Sequence, residues 1–136
     1  MVYIYTDTTV SNHTAYCTVF IITDSNYLGC ETFVHKGVKG SVLGELLAIR
    51  DGLKMFKESN HDDSIITVLT DCNDAIMHIE KKTKLKRFKP VVSEIENLSE
   101  SMHIAYKKIK GHLMSHNPNK IVDMMSRSIK TIMEVT

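Results

Sequence analysis

No apolar stretch in this 136-residue chain approaches the roughly 18 residues that span a bilayer as a helix. The amino terminus has no basic segment and reaches an acid by Asp7, so it does not read as a signal peptide. Cysteine is sparse: Cys17, Cys30 and Cys72 are odd in number and widely spaced. No C-x-x-C pair points to zinc or redox chemistry, and reduced thiols in a cytoplasmic protein are expected. Neither sign of charge is in excess, with 17 Lys+Arg against 16 Asp+Glu and a net charge of +1. The whole-molecule field therefore gives no pull towards nucleic acid, and any such pull must come from local clustering. Common catalytic signatures are absent too. Gly37-Val38-Lys39-Gly40-Ser41 lacks the ending and spacing of a P-loop, and there is no G-x-S-x-G elbow. His112 and His116 stand four apart, but no glutamate follows the first as in H-E-x-x-H.

What is present reads as one domain spanning 1–136, with no internal repeat, linker or boundary, large enough to bury a core without disulfides. Residues 2–7, 14–23 and 28–35 are rich in β-branched and aromatic residues and predict three strands joined by short turns, an antiparallel meander. From Ser41 the period changes. Val42, Leu46, Ile49, Leu53 and Phe56 fall on one helical face that ends near Ser59-Asn60. Residues 64–70 form the continuous apolar run of a strand covered on both faces. A short helix can follow Asp71, and Pro90 fits the first turn of another that runs to about Glu100. Residues 103–110 predict a fifth strand. Pro118 can open a last helix, with Ile121, Met125, Ile129 and Ile132 on one stripe.

Three apolar runs end in the same dipeptide, at Thr6-Asp7, Thr23-Asp24 and Thr70-Asp71. Carboxylates gathered at strand ends can bind a divalent metal, so strand direction decides which of them meet. With the first two strands antiparallel, Asp7 and Asp24 lie at opposite ends of the sheet. A right-handed crossover that sets the strand ending at Asp71 beside the first strand puts Asp7 and Asp71 side by side. Asp24 is then a turn residue, and the dipeptide itself is incidental. Glu45 lies roughly 60° from the centre of its helix's apolar stripe, at the border of the buried face, where a third ligand would have to be. Asp123 points away from its helix's apolar stripe, so the geometry permits a fourth ligand there without requiring it.

In this order Tyr5-Thr6-Asp7, Glu45-Leu46-Leu47-Ala48, Leu69-Thr70-Asp71-Cys72-Asn73-Asp74-Ala75, Lys110-Gly111-His112 and Asn119-Lys120-Ile121-Val122-Asp123 resemble type 1 ribonuclease H over nearly the whole chain. The resemblance implies an α/β ribonuclease H-like domain, with a mixed five-stranded sheet in the order 3-2-1-4-5 flanked by helices. It implies that Asp7, Glu45, Asp71 and Asp123 hold two Mg²⁺ ions, with Mn²⁺ a possible substitute. His112 matches the family's mobile-loop histidine, and Asn73 a position that contacts the substrate. The implied reaction is endonucleolytic hydrolysis of the RNA strand of RNA–DNA hybrids.

The basic run Lys81, Lys82, Lys84, Lys86, Arg87 and Lys89 contains no acid and can grip phosphates. Such a run is as readily a solvated face. One departure is plain: after the first aspartate the family has a small Gly-Ser or Gly-Ala pair and a glycine-rich turn, where this chain has Thr8-Thr9-Val10-Ser11-Asn12-His13. It motivates an alternative, a nucleic-acid-binding module of the same fold with weak or lost catalysis. A monomer with no membrane partner is expected.

Overall fold

Two ten-residue strands, β1 (Val2–Ser11) and β2 (Thr14–Thr23), pair antiparallel from Val2↔Thr23 to Ser11↔Thr14. The computed structural model describes residues 1–24, 27–60 and 65–109. Asn12 and His13 close the hairpin with φ of 50° and 57°, the left-handed pair that a two-residue turn of matching twist requires. β1 therefore runs four residues past Asp7, where the sequence predicted its end. Thr8, Thr9 and Val10 are β-branched and find partners in Cys17, Tyr16 and Ala15, so pairing carries the strand on.

β3 (Tyr27–Lys36) pairs antiparallel with β2, with a register irregularity at Ile21/Ile22. Gly40 then caps α1 (Ser41–Glu58) at φ 95°, a conformation costly to any side chain. The predicted stripe faces inward: Leu46, Ile49, Leu53 and Phe56 are buried, and Val42 packs against the same core. A second inward face was not expected. Gly44, Ala48 and Gly52 are also buried and let the helix lie close on the sheet. A Cβ on Gly44 would stand 2.7 Å from Thr8 Cγ2, and one on Gly52 would stand 2.8 Å from Ile4 Cγ2.

The crossover delivers β4 (Ile65–Thr70) parallel to β1, from Val2↔Ile66 to Tyr5↔Leu69. α2 (Asn73–Glu80) and α3 (Lys89–Ser99) follow, with Pro90 in the first turn of α3 where a missing N–H costs nothing. β5 (His103–Lys108) joins β4 in parallel and ends before Ile109, which the sequence placed in the strand. The sheet order is β3-β2-β1-β4-β5, as the sequence implied. The main core gathers Val2, Ile4, Val19, Ile21 and Val68 from the sheet with the stripe of α1, Ile79 of α2 and Val92 and Ile95 of α3. None of the described helices is long and apolar enough to cross a membrane.

Candidate functional site

β1 and β4 run together as far as Tyr5 and Leu69; two residues further, the same register sets Asp7 beside Asp71. There the strands part, because β4 ends at Thr70 while β1 continues beside β2. α1 crosses this fork, and its close seating on β1 brings Glu45 down between the aspartates. Carboxylate oxygens of Asp7, Glu45 and Asp71 all lie within 4.8 Å of one another. Asp24 lies at the other end of the sheet, where its carboxylate accepts a 2.9 Å bond from the Met1 ammonium. Strand polarity thus separates Asp24 from the other two, as expected.

Glu45 departs from expectation in an informative way. A border position predicted partial solvation, yet the residue is only 7% exposed and Asp7 only 9%. Its Oε2 is buried with no hydrogen-bond partner among the described residues. Burial, then the charges of Asp71 and Asp7, push its carboxyl from the ordinary 4.5 up to about 8, partly opposed by a hydrogen bond with Thr70. Three converging carboxyls, one with an unused buried oxygen, form a set of hard donors that suits a small divalent cation. The residues present fit such an ion.

Threonine also matters at the third dipeptide, contrary to the reading that the dipeptide is incidental. Thr70 is fully buried; its Oγ1 accepts the Cys72 N–H at 3.1 Å while its hydroxyl bonds Glu45. It links the start of α2 to the carboxylate on α1. Thr6 is equally buried, but its hydroxyl has no partner among the described residues, so the first dipeptide does not share this role. Thr8, the departure after the first aspartate, donates at 3.0 Å to the Gly44 carbonyl and so fastens the turn of α1 that bears Glu45.

Asn73 is exposed at the first position of α2, beside the acidic cluster in sequence. Lys81, Lys82, Lys84, Lys86, Arg87 and Lys89 are all exposed between α2 and the start of α3. None forms an ion pair with an acid among the described residues. Phe88 anchors the run: it is buried, its ring meets His78 edge-on at 4.6 Å, and Arg87 lies 4.7 Å over it. His112 and Asp123, together with the last predicted helix, lie outside the described residues.

No protein-family model and no curated protein sequence matches the chain. Solved structures do match. The crystal structure of LC11-RNase H1 in complex with an RNA/DNA hybrid is similar with a TM-score of 0.73 at 14% identity, over 95% of this chain and 99% of that one. The N-terminal RNase H domain of rv2228c from Mycobacterium tuberculosis gives 0.70 at 15% identity, over 81% of this chain and 87% of that one. RNase H1 from Halobacterium salinarum gives 0.66 at 11% identity, over 79% and 85%. The chain has the type 1 ribonuclease H-like fold.

Proposed function

We propose that this domain is a divalent-metal-dependent endonuclease that hydrolyses the RNA strand of RNA–DNA hybrids. The observation that carries the reading is the fork itself. Asp7 of β1, Glu45 of α1 and Asp71 just past β4 converge on one point, and a buried Glu45 oxygen there is left for a ligand. The hybrid bound by LC11-RNase H1, a structure of the same fold, supports the choice of substrate.

Asp7, Glu45 and Asp71 would hold Mg²⁺, with Asp123 completing the set for two ions. When bound, such ions activate a water for attack and stabilise the leaving 3′-oxygen. The chain's own residues supply position. Thr70 and Thr8 fix Glu45 from two sides, and Asn73, exposed at the start of α2, would meet the nucleic acid next to Asp71. The cationic run from Lys81 to Lys89 would track phosphates beyond the scissile bond. His112 would assist proton movement or product release. Thr8 and the extended β1–β2 hairpin, standing where the family has a small pair and a glycine-rich turn, favour the second reading of a binding module with weak catalysis.

A labelled hybrid incubated with Mg²⁺, Mn²⁺ or EDTA tests this. Metal-dependent cleavage that falls by at least a hundredfold in both Asp7→Asn and Asp71→Asn is expected, since each removes a ligand charge. Salt-sensitive binding with no cleavage would move the assignment to the binding module.

A further inference from the structure

A second convergence lies further along α1. Cys17 of β2, His35 of β3 and Asp51 of α1 place a sulfur, an imidazole nitrogen and a carboxylate oxygen within 4.8 Å of one another. Cys17 is fully buried, Asp51 is 5% exposed and His35 is 24% exposed. His35 and Asp51 line an open cleft of ≈ 440 Å³ with Lys54 and Glu58, which gives a path from solvent. His35 Nε2 lies 2.6 Å from Asp51 Oδ2. The other carboxylate oxygen accepts from Arg50 at 3.1 Å, and Arg50 reaches Glu94 of α3 at 3.5 Å.

The simplest view is an ion-pair chain that ties β3 to α1 and α3. Three features go beyond that. Sulfur, imidazole and carboxylate are the donor types of a zinc site with an open fourth position, unlike the oxygen-only cluster at the fork. Arg50 on the far carboxylate oxygen is the kind of outer partner that orients a ligating carboxylate. The charges also match. Asp51, Arg50 and Glu94 together carry one net negative charge, and a dication bound with a thiolate adds one positive. A tetrahedral ion with ordinary zinc bond lengths spaces its ligand atoms roughly 3.3–3.6 Å apart, so the cluster needs adjustments on the order of 1 Å.

We propose that Cys17, His35 and Asp51 form a binding site for a thiophilic divalent cation of the zinc type, separate from the carboxylate fork and open to water through the cleft. On binding, the Sγ–metal bond forms as the thiol proton leaves to solvent, and the 3.5 Å hydrogen bond from Cys17 to the Gly44 carbonyl is given up. The 2.6 Å His35 Nε2–Asp51 Oδ2 hydrogen bond opens as well, its proton passing to Nδ1 or to solvent, so that both atoms turn lone pairs to the ion. Gly44 directly precedes Glu45, so the two sites adjoin through one helical turn. This proposal does not rest on the hydrolysis reading.

Co²⁺ is the probe, added to the full chain with excess Mg²⁺ to occupy the oxygen site. The expected result is one Co²⁺ per chain, with thiolate charge-transfer absorption and tetrahedral visible bands. Equimolar Zn²⁺ should bleach these bands. They should persist in Cys30→Ser and Cys72→Ser and disappear in Cys17→Ser. His35→Gln keeps a hydrogen-bonding group for Asp51 on a partly exposed position, and it should lower Co²⁺ affinity at least tenfold even if the Cys17 variant folds poorly. Absence of thiolate absorption in the wild type, its loss in Cys72→Ser, or unchanged affinity in His35→Gln would each overturn the proposal.

Discussion

Replacing Glu45 with Gln removes the charge that the fork holds at greatest cost while keeping the side chain's shape and an acceptor for Thr70. In the metal-free protein the carboxyl is pushed up to about 8 from 4.5, and the unfolded chain releases the same proton near its ordinary value. Between those two pH values the folded state therefore binds more protons than the unfolded state. Stability must fall as pH rises through that window and level off above it. At 1.36 kcal/mol per pH unit the ceiling is roughly 5 kcal/mol. Water entry and relaxation at the fork reduce this, and about 2–4 kcal/mol should be realised. In EDTA at pH 8.5 Glu45→Gln should thus be more stable than wild type by that amount, and at pH 5 the two should agree within about 1 kcal/mol. Saturating Mg²⁺ should restore the wild type, since a ligand at a hundredfold its dissociation constant contributes about 2.7 kcal/mol, and should leave the variant unchanged. Urea unfolding followed by circular dichroism at pH 5, 7 and 8.5 gives the differences directly. A variant less stable than wild type in EDTA at pH 8.5, or a gap that does not narrow towards pH 5, would refute the reasoning.

Thr70→Val should cost about 1–3 kcal/mol by leaving the Cys72 N–H and Glu45 without their shared hydroxyl, and Thr70→Ser should recover most of it in the same unfolding assay. Gly44→Ala sets two effects against each other. Alanine gains about 1 kcal/mol of helix propensity, while a Cβ 2.7 Å from Thr8 Cγ2 and 2.9 Å from Val10 Cγ2 costs about 1–3 kcal/mol. Both obstructing methyls sit on stiff β-branched side chains, so a net loss and weaker Mg²⁺ binding by calorimetry are expected. Substituting Lys81, Lys82 and Lys84 with Ala should reduce the slope of log affinity for a hybrid against log salt by roughly 0.9 for each phosphate that is no longer neutralised. Melting temperature should change little, because all three lysines are exposed.

Much of this architecture is legible in the residues alone. The change from strand-like composition to a helical stripe at Ser41 and the apolar run before Asp71 marked out a meander and a parallel crossover, the resemblance to type 1 ribonuclease H supplied the order of the sheet, and strand polarity set Asp24 apart. Other features escaped because they belong to pairs of elements. That β1 continues beyond Asp7 depends on partners in β2, which composition within β1 does not reveal. The depth of Glu45 follows from Gly44 and Gly52, and a count of apolar side chains overlooks residues whose contribution is to have none. Thr70 hid among three identical dipeptides, although it is the threonine whose hydroxyl bonds Glu45. The grouping of Cys17, His35 and Asp51 needs β2, β3 and α1 to be docked, and no spacing along the chain announces it.

The fork between β1 and β4 also has a temporal side. Asp7 sits in a hairpin whose strands are neighbours in sequence and can zip locally, whereas Asp71 arrives only after the helical crossover has been laid down and parallel pairing is complete. The three acids thus come from the earliest and the latest parts of assembly that sequence separation predicts. A chain that has folded only its hairpin holds one of them. If the fork takes up metal as proposed, high-affinity uptake during refolding is a clock for the closing step, and should lag behind the fluorescence and circular-dichroism signals of hairpin formation.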